Sequence, residues 1–334
     1  MLYNIHNYRL TINDLIGNTK YKFNLKKFNF HKGFSINHVV SDYERKAVAL
    51  SFKVVDMQGY KIVKTYQEGV LLCNLKTSEI DIIYDKTCHD MIFDKTDSRK
   101  LFINTNGIIA SVCMTDRAVN RIYKFRNFTE APIDMKQSED GKLLLFSKYK
   151  SDNKMLHLIN LESNTLDNII GSTFNYDFLS NNEVIHSLSG GLKVYNTVSR
   201  KNTIPLTNAI KIAEQYGDSA NIDQVREAFN IKKGDRIIIN EVYCPKVFCE
   251  RVYFKVRITS KRKDFCKWCS VDKNFKDFQI HFENPERYGR GELFIYGDSS
   301  KYIFVVNAGR MSGCHVYDGD KSYTIKKYEP IDFS

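Results

Sequence analysis

Three phrases along the chain set an aspartate between apolar residues: Asp134 between Ile133 and Met135, Asp177 between Tyr176 and Phe178, and Asp332 between Ile331 and Phe333. Carboxylates brought together can hold a cation, or share acid and base roles in cleaving a glycosidic bond, as in a glycan hydrolase or lyase. The simpler reading, and the favoured one, is a polar channel lining that water alone satisfies. A second candidate set is Cys244 with Cys249, followed by Cys266 with Cys269, a spacing close to that of a zinc ribbon. The eight histidines form no His-x-His or His-Glu-x-x-His pattern, and neither a Gly-x-Ser-x-Gly elbow nor a phosphate-cradling glycine loop occurs. Histidine-metal, serine-hydrolase and P-loop chemistry therefore have no sequence support, and no cofactor is expected.

What would position these residues is a repeated strand-turn-strand phrase, clearest from Ile133 to Ser147, where alternation runs into Glu139-Asp140-Gly141 and then an apolar run from Leu143 to Phe146. Asp-Gly between alternating segments signals a hairpin, because the turn needs the positive φ that these residues tolerate. A second pair follows, Met155 to Leu161 and Leu166 to Ile170, making a four-strand antiparallel unit. The second pair recurs at Val70 to Tyr84, Ile109 to Phe125, Leu192 to Leu206, Phe265 to His281 and Cys314 to Lys327. The first recurs at Met91 to Asn104, Tyr176 to Ser187, Ile237 to Ile258 and Leu293 to Val306, with a looser copy at Asn37 to Phe52.

The intervals from Met91 to Ile133 and from Ile133 to Asn175 are each about 42 residues, a spacing expected of a propeller blade. With phrases such as Gln137-Ser138-Glu139-Asp140-Gly141-Lys142 and Gly297-Asp298-Ser299-Ser300-Lys301, most of the chain resembles a β-propeller of the WD40-like or YVTN-like kind. Trp-Asp dipeptides, Kelch glycine pairs and sialidase-type Asp boxes are absent, so no subfamily is indicated. The resemblance implies an all-β ring of four-stranded antiparallel blades, residues 1–334 forming a single domain. Six units are complete. Glu329 to Ser334 repeats the opening of the unit at Ala131, while Leu2 to His6, Tyr8 to Asn13 and Lys20 to Leu25 lack an opening strand. The C-terminal strand is expected to complete a seventh blade with these three; the alternative is six blades with an N-terminal hairpin appended.

In that register Phe265 to Val271 is a third strand, where residues three apart project to opposite faces. Cys266 and Cys269 could share a metal only across a local bulge, so core thiols are the favoured reading. The one long non-β segment, residues 207–233, is expected to be a helical insertion. Ile222, Val225 and Phe229 fall at helical spacing after the capping pair Asn221 and Gln224, and a weaker helix runs from Asn208 to Tyr216.

The formal charge is +11, which favours an acidic partner. Successive connections in a meander alternate between the two ends of the strands, so the second and fourth connections of every blade share one face. That face collects Arg126, Lys148, Lys150, Lys154, Arg262, Lys263, Arg287, Arg290 and Arg310 beside the insertion with its Tyr216. The opposite face collects Glu44, Asp97, Glu139, Asp140, Glu162, Asp298, Asp318 and Asp320. The expected function is a non-enzymatic protein-interaction scaffold, a monomeric ring that grips an acidic protein through this basic face. Nucleic-acid binding by the same face is the alternative, and a carboxylate-based glycan hydrolase or lyase the third. No run of about 18 apolar residues is present for a spanning helix, and the N-terminus lacks a signal-peptide pattern, so a cytoplasmic location and reduced cysteines are expected.

Overall fold

Short apolar runs broken by Asn, Asp and Gly turns make strands the dominant element among the described residues. The computed structural model describes residues 2–6, 9–14, 19–28, 34–42, 44–58, 61–125, 133–150, 153–172, 175–188, 191–206, 238–259, 264–283, 292–297, 301–307, 313–319, 321–326 and 329–333. The expected helical insertion at 207–233 lies outside them; the one helical element among them is a 3-10 turn at Lys26–Phe28.

The strands follow as seven blades. The first has β1 (Leu2–His6), β2 (Arg9–Asn13) and β3 (Thr19–Asn24). The second has β4 (Phe34–Asp42), β5 (Ala47–Gln58), β6 (Lys61–Asn74) and β7 (Ile80–Tyr84). The third has β8 (Asp90–Phe93), β9 (Lys100–Thr105), β10 (Ile108–Cys113) and β11 (Val119–Lys124). The fourth has β12 (Ile133–Gln137), β13 (Leu143–Lys150), β14 (Asn153–Asn160) and β15 (Thr165–Ser172). The fifth has β16 (Tyr176–Ser180), β17 (Glu183–Leu188), β18 (Gly191–Asn196) and β19 (Lys201–Leu206). The sixth has β20 (Ile238–Phe248), β21 (Arg251–Thr259), β22 (Asp264–Asp272) and β23 (Gln279–Glu283). The seventh has β24 (Glu292–Gly297), β25 (Tyr302–Asn307), β26 (Cys314–Asp318) and β27 (Lys321–Ile325). The chain then returns as β28 (Glu329–Pro330) and β29 (Asp332–Phe333).

β28 pairs antiparallel with β1, Leu2 opposite Pro330, so the first blade is completed by the C-terminus and the seven-blade expectation holds over the six-blade one. β29 continues past it and runs parallel to β4, Asp332 opposite Val40, adding a fifth strand to the second blade. The chain divides into two compact units: Met1–Ile170 with Lys327–Ser334, and Gly171–Lys326.

Period-2 alternation explains why the strands read as nearly continuous apolar runs: both faces of a blade are buried, each against a different neighbour. In the first unit Met91, Phe93, Leu101, Ile103, Ala110 and Val112 pack against Ala49, Val70 and Ile83 of the second blade. The alternate residues Ile92, Phe102 and Ile109 pack against Met135, Leu144 and Phe146 of the fourth. In the second unit Val252, Phe254, Val256 and Cys269 join Ile185 and Leu192, whereas Tyr253 and Trp268 join Leu293, Phe304 and Val306. Each such large side chain contributes about 1.5–3 kcal/mol by leaving water.

The Asp140-Gly141 turn is confirmed in its detail. Gly141 has φ of 75°, and a Cβ there would lie 2.4 Å from Thr96 Cγ2 of the third blade, so the site needs glycine for both conformation and space. Gln137 fastens the same corner, accepting the Lys95 N–H at 2.7 Å and donating to Asp94 Oδ1 at 3.3 Å.

Candidate functional site

The aspartate phrases fall at joints between blades. In the first unit the decisive carboxylate is Asp90, which opens β8 and is buried. Its Oδ2 accepts the Met135 N–H of the fourth blade at 2.8 Å, and its Oδ1 accepts the Met91 N–H at 2.9 Å. His38 of the second blade puts Nε2 3.2 Å from Oδ1. Burial pushes the Asp90 carboxyl up to about 6, against the downward pull of His38 and the Met135 N–H, and with a smaller upward push from Asp134.

Asp177 repeats the arrangement within the second unit. Its Oδ2 accepts the Val247 N–H of the sixth blade at 2.8 Å and its Oδ1 the Phe178 N–H at 3.0 Å. The receiving strand is prepared in the same way at both joints. β12 is bulged between Ile133 and Lys136, with Asp134 at φ 56°, and β20 is bulged between Tyr243 and Lys246, with Cys244 at φ 58°. A bulge leaves amides out of their own ladder, and one a short step further along is taken by the aspartate of the preceding blade. Asp134 itself is exposed beside its joint. Asp332 lies where β29 runs along β4, again at a meeting of two blades.

Sequence reasoning singled out three copies of the phrase and missed the most buried one. Asp90-Met91 repeats Asp134-Met135, Asp177-Phe178 and Asp332-Phe333, and that dipeptide was the available signal. His38 had none, since only folding brings it to Asp90. Asp90 and Asp177 each use one oxygen to satisfy a backbone N–H across the joint and the other to accept the N–H of the following residue, as buried amides require.

The four cysteines do not converge. β22 pairs with β21 in unbroken register, Cys266 opposite Arg257 and Cys269 opposite Phe254, so the two thiols project to opposite faces and both are buried. Burial raises the Cys269 thiol well above the usual range. Cys244 sits in the bulge of β20, and Cys249 is exposed at φ 51°. Among the described residues no group of three or more His, Cys, Asp and Glu could hold a metal ion, and no helix is long and apolar enough to cross a membrane.

Of the basic residues expected on one face, Arg126, Tyr216 beside them, Arg262, Lys263, Arg287, Arg290 and Arg310 lie outside the described residues. Lys148 is half-buried, its Nζ 5.0 Å from the Phe125 ring centroid, and Lys150 ends β13 opposite Asn153.

The surface feature that sequence reasoning missed is the β5–β6 hairpin. Its strands have 12 and 14 residues, against six each for β9 and β10 in the next blade. β4 covers β5 only as far as Val54, and β7 pairs with β6 only from Val70 to Cys73, so the distal half is a two-stranded ribbon. Six large apolar side chains are exposed among the described residues, and four of them stand here: Met57, Ile62, Val63 and Tyr66. Val54 and Val55 on the facing strand are buried, so the exposure belongs to the tip and to β6. The Tyr66 hydroxyl donates to the Asp56 carboxylate, and Lys64 Nζ lies 4.8 Å from the Tyr66 ring centroid. The signal for this hairpin was Gly59 between Val54-Val55 and Ile62-Val63.

With this geometry in hand, comparison with solved structures is informative about architecture. An oligogalacturonate lyase in complex with manganese superposes with a TM-score of 0.59 at 8% identity, over 88% of this chain and 78% of that one. The β-propeller domain of the Trilobed protease from Pyrococcus furiosus, described with an open velcro topology, gives 0.52 at 11% identity, over 88% and 85%. The chain has the β-propeller fold. Prolyl endopeptidases match this propeller at 0.57 and 8% identity, over 99% of it but only 50% of their own length. No family model and no curated protein matches the sequence. At these identities the likeness concerns the fold alone.

Proposed function

We propose that this propeller is a non-enzymatic interaction module that binds an acidic protein partner, with the β5–β6 hairpin as its apolar anchor and the basic second and fourth connections as its steering charge. The observation that carries this reading is the concentration, among the described residues, of exposed apolar side chains on a hairpin that outgrows its blade. The folded chain gains nothing from leaving Met57, Ile62, Val63 and Tyr66 in water, and a concentration of exposed apolar side chains marks a contact surface. The hairpin tip is the second connection of its blade, as Lys148 and Lys150 flank the second connection of theirs, so both belong to the set of connections expected to carry the basic residues. Interfaces of this type take most of their affinity from a few apolar and aromatic anchors and their association rate from charge.

The test is affinity capture from native cells followed by identification of both protein and nucleic acid. Ile62→Asp with Val63→Asp, and separately Arg262→Glu with Arg287→Glu and Arg290→Glu, should each release an acidic protein while the fold is unchanged by circular dichroism. Unchanged co-purification in both variants removes the reading. Retention of nucleic acid alone, falling steeply with salt, replaces it with the nucleic-acid alternative.

A further inference from the structure

Among the described residues, the distal half of β6 is an open sheet edge that also carries exposed apolar side chains. From Lys61 to Gln67 its inner side is paired with β5, from Gln58 opposite Lys61 to Val54 opposite Gln67. Among the described residues, no strand pairs with its outer side until β7 arrives at Val70. Seven residues of edge at roughly 3.3 Å each give about 23 Å, the length of an ordinary strand. Composition along that edge is suited to pairing: Ile62, Val63, Thr65 and Tyr66 are the β-branched and aromatic types that strands prefer, and neither proline nor glycine interrupts them.

Natural proteins defend such edges with lysines and bulges. Both are present, as Lys61 and Lys64 and as register shifts at Val54/Val55 and Asp56/Met57. Along the edge the lysines are the charged residues, no acidic one lying between Lys61 and Gln67, and across the ladder Asp56, opposite Lys64, offsets one of them. An incoming strand of this same sequence would bring lysine against lysine, whereas one carrying acidic residues opposite Lys61 and Lys64 and apolar residues opposite Ile62 and Val63 would set carboxylates against ammonium groups and apolar side chains against apolar ones.

Resting on the interaction reading above, we propose that the partner's contact segment is an extended acidic and apolar stretch that adds to the outer edge of β6 as a third strand. Backbone hydrogen bonds hold it and the lysines choose its charge.

The probe is a fluorescein-labelled, end-capped peptide of about nine residues in which two valines sit between glutamates, the spacing of Lys61, Ile62, Val63 and Lys64, titrated with the full chain by anisotropy. A lysine-valine peptide and a glutamate-valine peptide N-methylated at every second residue serve as comparisons. Binding of the glutamate-valine peptide, loss of at least about tenfold on N-methylation, and reversal of charge preference in Lys61→Glu with Lys64→Glu support the proposal. Equal binding of the N-methylated peptide overturns it, because side chains alone would then suffice. Absence of any glutamate-valine binding, a concentration-dependent dimer that competes with the peptide, or exclusive retention on phosphatidylserine vesicles overturns it too. These failures are separable from failure of the wider reading: a partner still captured by the full chain and lost on Ile62→Asp with Val63→Asp leaves the interaction module standing with a different mode of contact.

Discussion

Two regions of the first unit treat their unfavourable groups in opposite ways. At the joint of the third and fourth blades a carboxylate is buried, and every oxygen of Asp90 is given to an N–H or to His38. On the β5–β6 hairpin apolar side chains are exposed, and Ile62 and Val63 are more than half open to solvent. The first arrangement is costly to dismantle, because removing one partner strands a buried donor. The second costs the folded chain little to dismantle, because water already surrounds it. That asymmetry separates groups that hold the fold from groups available to a partner.

The comparison can be broken on a single scale, the denaturant midpoint of unfolding. The largest loss is expected from Trp268→Ala, about 3–5 kcal/mol, since this side chain is 1% exposed between the sixth and seventh blades. Asp177→Ala should follow at about 1–3 kcal/mol by orphaning the Val247 and Phe178 amides, with Asp177→Asn recovering part of the loss through its remaining carbonyl acceptor. Ile62→Ser and Val63→Ser should fall within about 0.5 kcal/mol of the parent. A hairpin substitution as damaging as Asp177→Ala would mean that the exposed residues are structural and would sink the distinction.

Between these lies a change of slope with pH. His281 is depressed to about 4, chiefly by burial and secondarily by Arg251. The unfolded chain then binds the proton more readily, so its contribution to stability is complete above about 6.5 and is lost as the pH falls towards 4. Asp90 runs the other way. Raised to about 6, it is penalised for being ionised above that value, and the penalty is relieved as the pH falls towards its unfolded value near 3.8. Urea titrations from pH 7 to pH 4.5 should show His281→Gln flattening the acid loss of stability and Asp90→Asn steepening it. Parallel profiles for parent and variants would contradict these environments.

Much of the fold was legible because a propeller blade is a local object. The strand pairs around Asp140-Gly141 or Glu162-Ser163-Asn164 are neighbours in sequence, and their alternation survives without knowledge of the rest. The closure of the first blade was legible as well, since Ala131-Pro132-Ile133-Asp134 is echoed by Glu329-Pro330-Ile331-Asp332. The opposed directions of Cys266 and Cys269 followed from strand parity and match the unbroken register of β21 with β22. Less was legible at the candidate sites. Asp134, Asp177 and Asp332 could be aligned, but whether an aligned carboxylate is solvated or spent on an amide depends on a bulge in the next blade, which leaves almost no mark in composition. The length of the β5–β6 hairpin was obscured because Lys61 to Gln67, having no core to face, does not alternate.

The sequence by itself therefore determined the unit, its sevenfold repetition and the return of the C-terminus to the N-terminal strands, because these depend on side-chain periodicity and turn residues close together in the chain. Tertiary structure alone decided that His38, Asp90 and Met135 meet, and that Ile62 and Val63 stay more than half open to solvent. Those outcomes depend on which amides a bulge releases and on where a neighbouring strand stops. Both are set by contacts between distant segments that no local pattern encodes.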